Sequence, residues 1–395
     1  MPEAAPIYLD YAATTPLDPR VAEAVCVCLR DASLQGNPAS AHAAGRAAAA
    51  LVESARAQVA SLIGAPSESI VFTSGATESV NLAILGAMRA ARRNMRHVVT
   101  SRTEHRAGVD ACRQLEREGF TVSWLVPGSD GSVDPGEVAT ALRPDTALVS
   151  LMHANNETGA INDVAAVGRL CRERNVSFHV DAAQSAGKLP IGVDEIGASL
   201  LSFCAHKLGG PKGIGALYVR RHPRPALQPL QFGGGHEGGL RSGSLATHQV
   251  VGFGLACQLA RAGLASEPAR IRALRDRLWS GLQAAPPVLR NGAGASGLPG
   301  ILNICFPGVE GESLLLALDD RLAATSGSAC NSAAAEPSYV LRALGLSDLA
   351  AQASLRLSIG SETTAEEIDR AARLLVASVQ RLRALLPPGA IERIT

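Results

Sequence analysis

Between about residue 20 and residue 260, short apolar runs alternate with helix-length amphipathic segments, and few architectures accept that pattern. The runs Ser69–Thr73, His97–Thr100, Ala147–Met152, Ser177–Val180, Leu200–Phe203 and Ala216–Val219 read as strands. Helical periodicity lies between most of them, as in Glu78–Met88, Gly108–Glu118 and Ala165–Glu173. Strands and helices in alternation predict an α/β fold, with a mostly parallel sheet covered by helices. After residue 260 the texture changes. An Arg-rich helical stretch (Ser266–Ala284) is followed by a Gly-rich loop, a strand (Ile301–Phe306) and a helix (Glu312–Asp319). Then come a Ser/Gly/Ala-rich segment (Thr325–Ala335), another helix, a strand (Ser354–Ile359) and a closing helix (Thr364–Leu385), which together read as a smaller α/β domain.

In a parallel sheet, ligands sit outside the carboxyl ends of the strands. The residues that follow each run are therefore the candidates for chemistry. Ser69–Thr73 leads into Ser74-Gly75-Ala76-Thr77 at a helix start, where backbone N–H groups and a glycine suit a phosphate. Ser177–Val180 ends in Asp181, a carboxylate able to hold a protonated heterocyclic nitrogen. Leu200–Phe203 leads into Cys204-Ala205-His206-Lys207 before a Gly-Gly-Pro turn. Taken singly, each has an ordinary explanation: a turn, a cap, a surface lysine. Of 37 basic residues, however, only those at 188, 207 and 212 are lysine. Arginine supplies positive charge elsewhere, but it cannot supply an amine that loses its proton and attacks a carbonyl. Lys188 and Lys212 read as surface lysines in loops. Phosphate turn, strand-end Asp and later strand-end Lys follow the order of fold-type-I enzymes that use pyridoxal phosphate, and His105 is placed to stack on the cofactor ring.

Several function classes are disfavoured. A net charge of +1 makes no case for nucleic acid or an acidic membrane surface. The opening MPEAAPIYLD has no basic stretch followed by an apolar run, so no signal peptide is expected. The long stretch free of charged residues at Ser242–Ala260 contains Ser, Thr, His, Gln and Gly and reads as a buried helix, not a membrane span. The eight cysteines are scattered without a CxxC, which predicts neither a disulfide framework nor a zinc site and suits a reducing cytoplasm. No GxGxxG joins a strand to a helix, as a nicotinamide dehydrogenase requires.

Ten motifs along almost the whole chain resemble the NifS/IscS-type cysteine desulfurases of the class V aminotransferase group. They are YLDYAATTP (8–16), GNPAS (36–40), IVFTSGATES (70–79), TEH (103–105), HANNETG (153–159), HVDAAQSAGK (179–188), HKLGGPKGIGALY (206–218), GGGHEGGLRSGS (233–244), SGSAC (326–330) and EPSYVLRALG (336–345). The resemblance implies a large cofactor-binding domain over 17–261. It also implies a small domain made of 1–16 and 262–395. Lys207 holds the cofactor as a Schiff base, Asp181 pairs with the ring nitrogen, Gln184 bonds the ring hydroxyl, and His105 stacks on the ring. Ala76, Thr77, Cys204 and His206 fall at phosphate-site positions, with Ser244 entering from the partner subunit of a homodimer. Asn37 and Asn156 lie near the substrate, and Arg356 clamps the α-carboxylate of L-cysteine. The nucleophile position falls on Cys330, in the one Ser/Gly/Ala-rich stretch that carries a cysteine. The other cysteines lie in helix-like or strand segments and read as small core residues.

Two departures stand out. Cys204 occupies a position where family members carry a serine whose hydroxyl helps hold the phosphate; a thiol is a poor donor. It is also a minor rival to Cys330. The closing PPGAIERIT differs from the scaffold-binding tail of the housekeeping enzymes. The sulfur acceptor is then an iron–sulfur scaffold or another thiolation pathway, such as tRNA thiolation, cofactor sulfuration or DNA sulfur modification. Other readings inside the family are a selenocysteine lyase or an aminotransferase, which has no need of Cys330. A sulfur-relay subunit without catalysis conflicts with the intact Thr77, His105, Asp181, Gln184 and Lys207.

Overall fold

A computed structural model describes residues 6–318, 321–326 and 336–387 of the chain. Its strands in chain order are β1 (Ile7–Tyr8), β2 (Ile70–Thr73), β3 (His97–Ser101), β4 (Thr121–Leu125), β5 (Thr146–Met152), β6 (Ser177–Asp181), β7 (Leu200–Cys204) and β8 (Gly215–Val219). After these come β9 (Leu289–Asn291), β10 (Ile301–Cys305), β11 (Leu322–Ala323) and β12 (Ser354–Ser358). Seven of them form one sheet in the order β2-β8-β7-β6-β5-β3-β4. All neighbours pair parallel except at β8, which is antiparallel to both β2 and β7.

The six expected strands are all present. They were legible because a sheet covered on both faces needs unbroken apolar runs, and β2, β3, β7 and β8 are buried at every residue. The edge strand β4 was not expected. Only Leu125 in it is buried, so TVSWL lacks such a run. The helix expected over Ser242–Ala260 spans Thr247–Gly263 instead. Gly243, with φ at 125°, belongs to the preceding loop.

A polar rung crosses the middle of the sheet. His179 on β6 meets Ser150 of β5 at 2.8 Å and Ser202 of β7 at 2.9 Å. It is fully buried, and burial pushes its imidazole down to about 3, so the ring is neutral. Residues two apart share a strand face, so this rung lies directly beneath Asp181 and sets the position of β6 between its neighbours.

A second apolar core is built on β12-β10-β9, all antiparallel, and on the helices Glu267–Leu282, Gly311–Leu318 and Ala365–Arg383. Ile7 and Leu9 from the N-terminal segment are buried in it. The expected helix Glu312–Asp319 is seen over Gly311–Leu318, and Asp319 lies outside the described residues. Among the described residues no helix is long and apolar enough to cross a membrane.

Candidate active site

Strands β2, β3, β5, β6 and β7 all run one way, so the residues that follow them gather on one edge of the sheet. Thr73 of β2 and Cys204 of β7 both register with Gly215, one from each side. A Cβ at Gly215 would fall 2.7 Å from the Gly75 backbone and 2.8 Å from the Phe203 carbonyl. Only glycine lets the turn after β2 lie against the end of β7. There the Ala76 backbone acts on the Cys204 thiol, pulling against the rise that burial causes. The helix Ala76–Ala90 starts at Gly75, whose φ is 155° and which provides no side-chain cap. Space above Gly75 is open, and Ser74 N–H is already satisfied by Glu78 at 2.7 Å. The helix therefore offers uncapped N–H groups to an anion.

Across the edge stand the titratable groups. Asp181 is 6% exposed, and its Oδ1 accepts the Ala183 N–H at 2.9 Å. Burial raises its carboxyl, while Ala183 N–H, His105 and Lys207 pull it back toward ionisation. His105 caps the helix Arg106–Arg117 by accepting the Ala107 N–H at Nδ1, 3.1 Å away. That bond assigns the ring proton to Nε2. Burial lowers the imidazole, and the nearby Lys207 lowers it further against the pull of Asp181. Lys207 is half-buried. Burial pushes its amine below the ordinary lysine range; Arg356 adds to this, and Cys204, Asp10 and Asp181 oppose it. A buried carboxylate, a depressed primary amine and an open helix N-terminus on one edge fit the ring nitrogen, aldehyde and phosphate of pyridoxal phosphate.

The segment 10–15 threads through this site, a role its sequence did not suggest. Lys207 Nζ donates to the carbonyls of Ala12 and, at 2.8 Å, Ala13. Gln184 Nε2 donates to Ala12 O at 2.9 Å. His206 Nδ1 meets Thr14 Oγ1 at 3.2 Å, and Thr15 Oγ1 donates to His206 O at 2.9 Å. On β12, Arg356 donates to Asn156 O at 3.0 Å and to Asp10 at 2.7 Å.

Lys188 departs from expectation. It is no surface lysine: it lines a cavity of about 520 Å³ together with Lys207, Ala12 and Tyr11. Its Nζ lies 3.4 Å from Gln184 Oε1, and burial pushes its amine down to about 7. Two buried contacts behind the site were also missed. Glu157 accepts the Ser338 hydroxyl, and the Tyr339 hydroxyl donates to Glu104 O at 2.6 Å. They dock the segment from 336 onward beside His105.

Some expected members stand apart. Asn37 is exposed, and its side chain accepts only the N–H of Ala39 in its own turn. Thr77 and Ser244 are both exposed within this chain. Cys330 lies outside the described residues. Cys204 is 1% exposed, and burial pushes its thiol up to about 11. A buried thiol held in its neutral form is a poor nucleophile. Cys204 ends β7 opposite Gly215 and is a weak hydrogen-bond donor there. Cys204→Ser should retain the cofactor severalfold more tightly in equilibrium dialysis and still form sulfide from cysteine; loss of sulfide would restore Cys204 as the nucleophile.

Comparison with known proteins agrees with this geometry. The model of the class-V aminotransferase family matches residues 7–371. Cysteine desulfurase IscS of Shewanella sediminis is 55% identical over 383 residues, which cover 97% of this chain and 95% of that protein. A solved NifS-like protein superposes with a TM-score of 0.88 at 33% identity, covering 96% of this chain and 100% of its own. A structure of SspA in complex with cysteine does so with a TM-score of 0.79 at 36% identity, over 89% of this chain and 98% of its own. With the strand-end lysine, the buried aspartate and the uncapped helix start in their expected places, the chain belongs to the class-V aminotransferase family, among its NifS/IscS-type cysteine desulfurases.

Proposed function

We propose that this protein is a pyridoxal-phosphate-dependent cysteine desulfurase that converts L-cysteine to L-alanine and collects the sulfur as a persulfide on Cys330. The observation that carries this reading is the meeting of Lys207, Asp181 and His105 on one sheet edge, in mutual electrostatic contact, with Arg356 within reach of Lys207. Bound pyridoxal phosphate supplies an electron sink for charge at the substrate α-carbon. Lys207 carries an amine whose basicity burial depresses, which favours the form that takes the α-proton and returns a proton. Asp181 holds the proton of the ring nitrogen, and His105 presents Nε2–H to the ring side of the site. Gln184 has one N–H on Ala12 O and a second left for the ring hydroxyl. Arg356 holds the substrate α-carboxylate near Asn156.

The Cys330 thiolate then bonds to the substrate sulfur as the carbon–sulfur bond breaks, and the carbon skeleton leaves as alanine. Thiol exchange passes the persulfide sulfur to a protein acceptor, an iron–sulfur scaffold or a thiolation enzyme. The enzyme is a cytoplasmic homodimer in which Ser244 completes the partner's phosphate site. Phe232, 76% exposed beside the same loop, supports a covered face there. The two separate apolar cores support a large domain over 17–261 and a small one over 1–16 and 262–395.

Incubation of the holoenzyme with L-cysteine and a thiol reductant should release alanine and sulfide in equal amounts. Pyruvate with ammonia, or a keto acid formed by amino transfer, would overturn the assignment.

A further inference from the structure

We propose that Asp10 is the positioning residue of the substrate clamp, pinning the Arg356 guanidinium so that its Nε edge meets the substrate α-carboxylate. Arg356 is 6% exposed on β12. Nη1 donates to Asn156 O at 3.0 Å, and Nη2 donates to Asp10 Oδ1 at 2.7 Å. The Nε–H is buried and, among the described residues, has no partner. A buried donor left without an acceptor is costly, and in a binding site it marks where a ligand acceptor belongs. Nε and the second proton of Nη2 together form a fork suited to one carboxylate.

Asp10 is held as firmly as the arginine it holds. Ile7 and Leu9, just before it, are buried in the second core. Asp10 bridges to Ser358, and Ala12 N–H donates to Ser358 Oγ at 2.8 Å. Ser358 lies two residues past Arg356, on the same face of β12. The Tyr8 hydroxyl donates to Asp10 O at 3.2 Å and to Thr14 O at 2.8 Å, closing the turn. Without Asp10, the backbone carbonyl of Asn156 alone would orient the guanidinium, which could then rotate about it.

The inference rests on reading Arg356 as the carboxylate clamp, and the experiment separates the two. The visible band of the holoenzyme's cofactor is titrated with L-alanine and with ethylamine, which lacks the carboxylate and involves no sulfur. Asp10→Ala should weaken L-alanine binding about tenfold or more, the effect of a lost hydrogen bond to a charged group, and leave ethylamine binding unchanged. Asp10→Asn keeps an oxygen for Nη2 and should recover most of the loss. If Asp10→Ala does not fold, Asp10→Ser, too short to reach Nη2, should behave as the alanine variant. Equal losses for both amines, or no loss for L-alanine, would overturn the role of Asp10. An Arg356→Ala variant that keeps its preference for L-alanine would overturn the clamp reading itself.

Discussion

Cys330→Ala is expected to lower sulfide release from L-cysteine by at least about 10,000-fold, the scale seen when a nucleophile is removed, while the cofactor still binds. The reason lies in the other seven cysteines. Burial pushes the Cys112 and Cys171 thiols up to about 12 and the Cys204 thiol up to about 11. It raises Cys257 well above the ordinary value, and raises Cys28 and Cys305 as well. Cys26 is half-buried on the helix Pro19–Arg30, which presents it outside the Ser/Gly/Ala-rich stretch around residue 330. The six raised thiols are disfavoured as thiolates, the form that attacks sulfur. Mass spectrometry after a single turnover should find the extra sulfur atom on the peptide that contains residue 330. Its appearance on any other cysteine, or undiminished sulfide from the variant, would end the proposed mechanism.

Lys207→Ala should cost on the order of 1,000- to 10,000-fold in turnover, because the group that takes and returns the α-proton is gone. Lys207→Arg should be no better, since a guanidinium stays protonated and forms no bond to the cofactor aldehyde. Lys188 lines the same cavity with an amine at about 7. It does not substitute, because its Nζ is directed at Gln184 Oε1. A small primary amine such as methylamine, added to Lys207→Ala, should restore part of the rate by filling the vacated space. Turnover of Lys207→Ala within tenfold of the unaltered enzyme would remove Lys207 from the chemistry.

Much of the site was legible because it is built from local features. A strand, a turn and a helix start lie within a few residues of one another, and parallel strands align their ends automatically. Lys207, Asp181, His105 and the turn at Gly75 were found in that way. Asp10 carries no such local signal, because its partner is distant. Asp10 and Arg356 are 346 residues apart. Lys188 reads as a loop lysine because nothing near it in sequence shows the cavity wall around it. Asn37 differs again: its place in a motif suggests the substrate, and within this chain its side chain accepts the Ala39 N–H of its own turn.

The sequence by itself determined the class of fold, the cofactor and the order of the groups that handle it, because hydrophobic period and turn chemistry are written over short stretches. Only the tertiary structure decided how charged and reactive each group is. Burial sets those values: it lifts the Cys204 thiol to about 11, lowers the Lys188 amine to about 7 and leaves the Nε–H of Arg356 without a partner among the described residues. Burial is a property of the packed core, to which residues from both ends of the chain contribute.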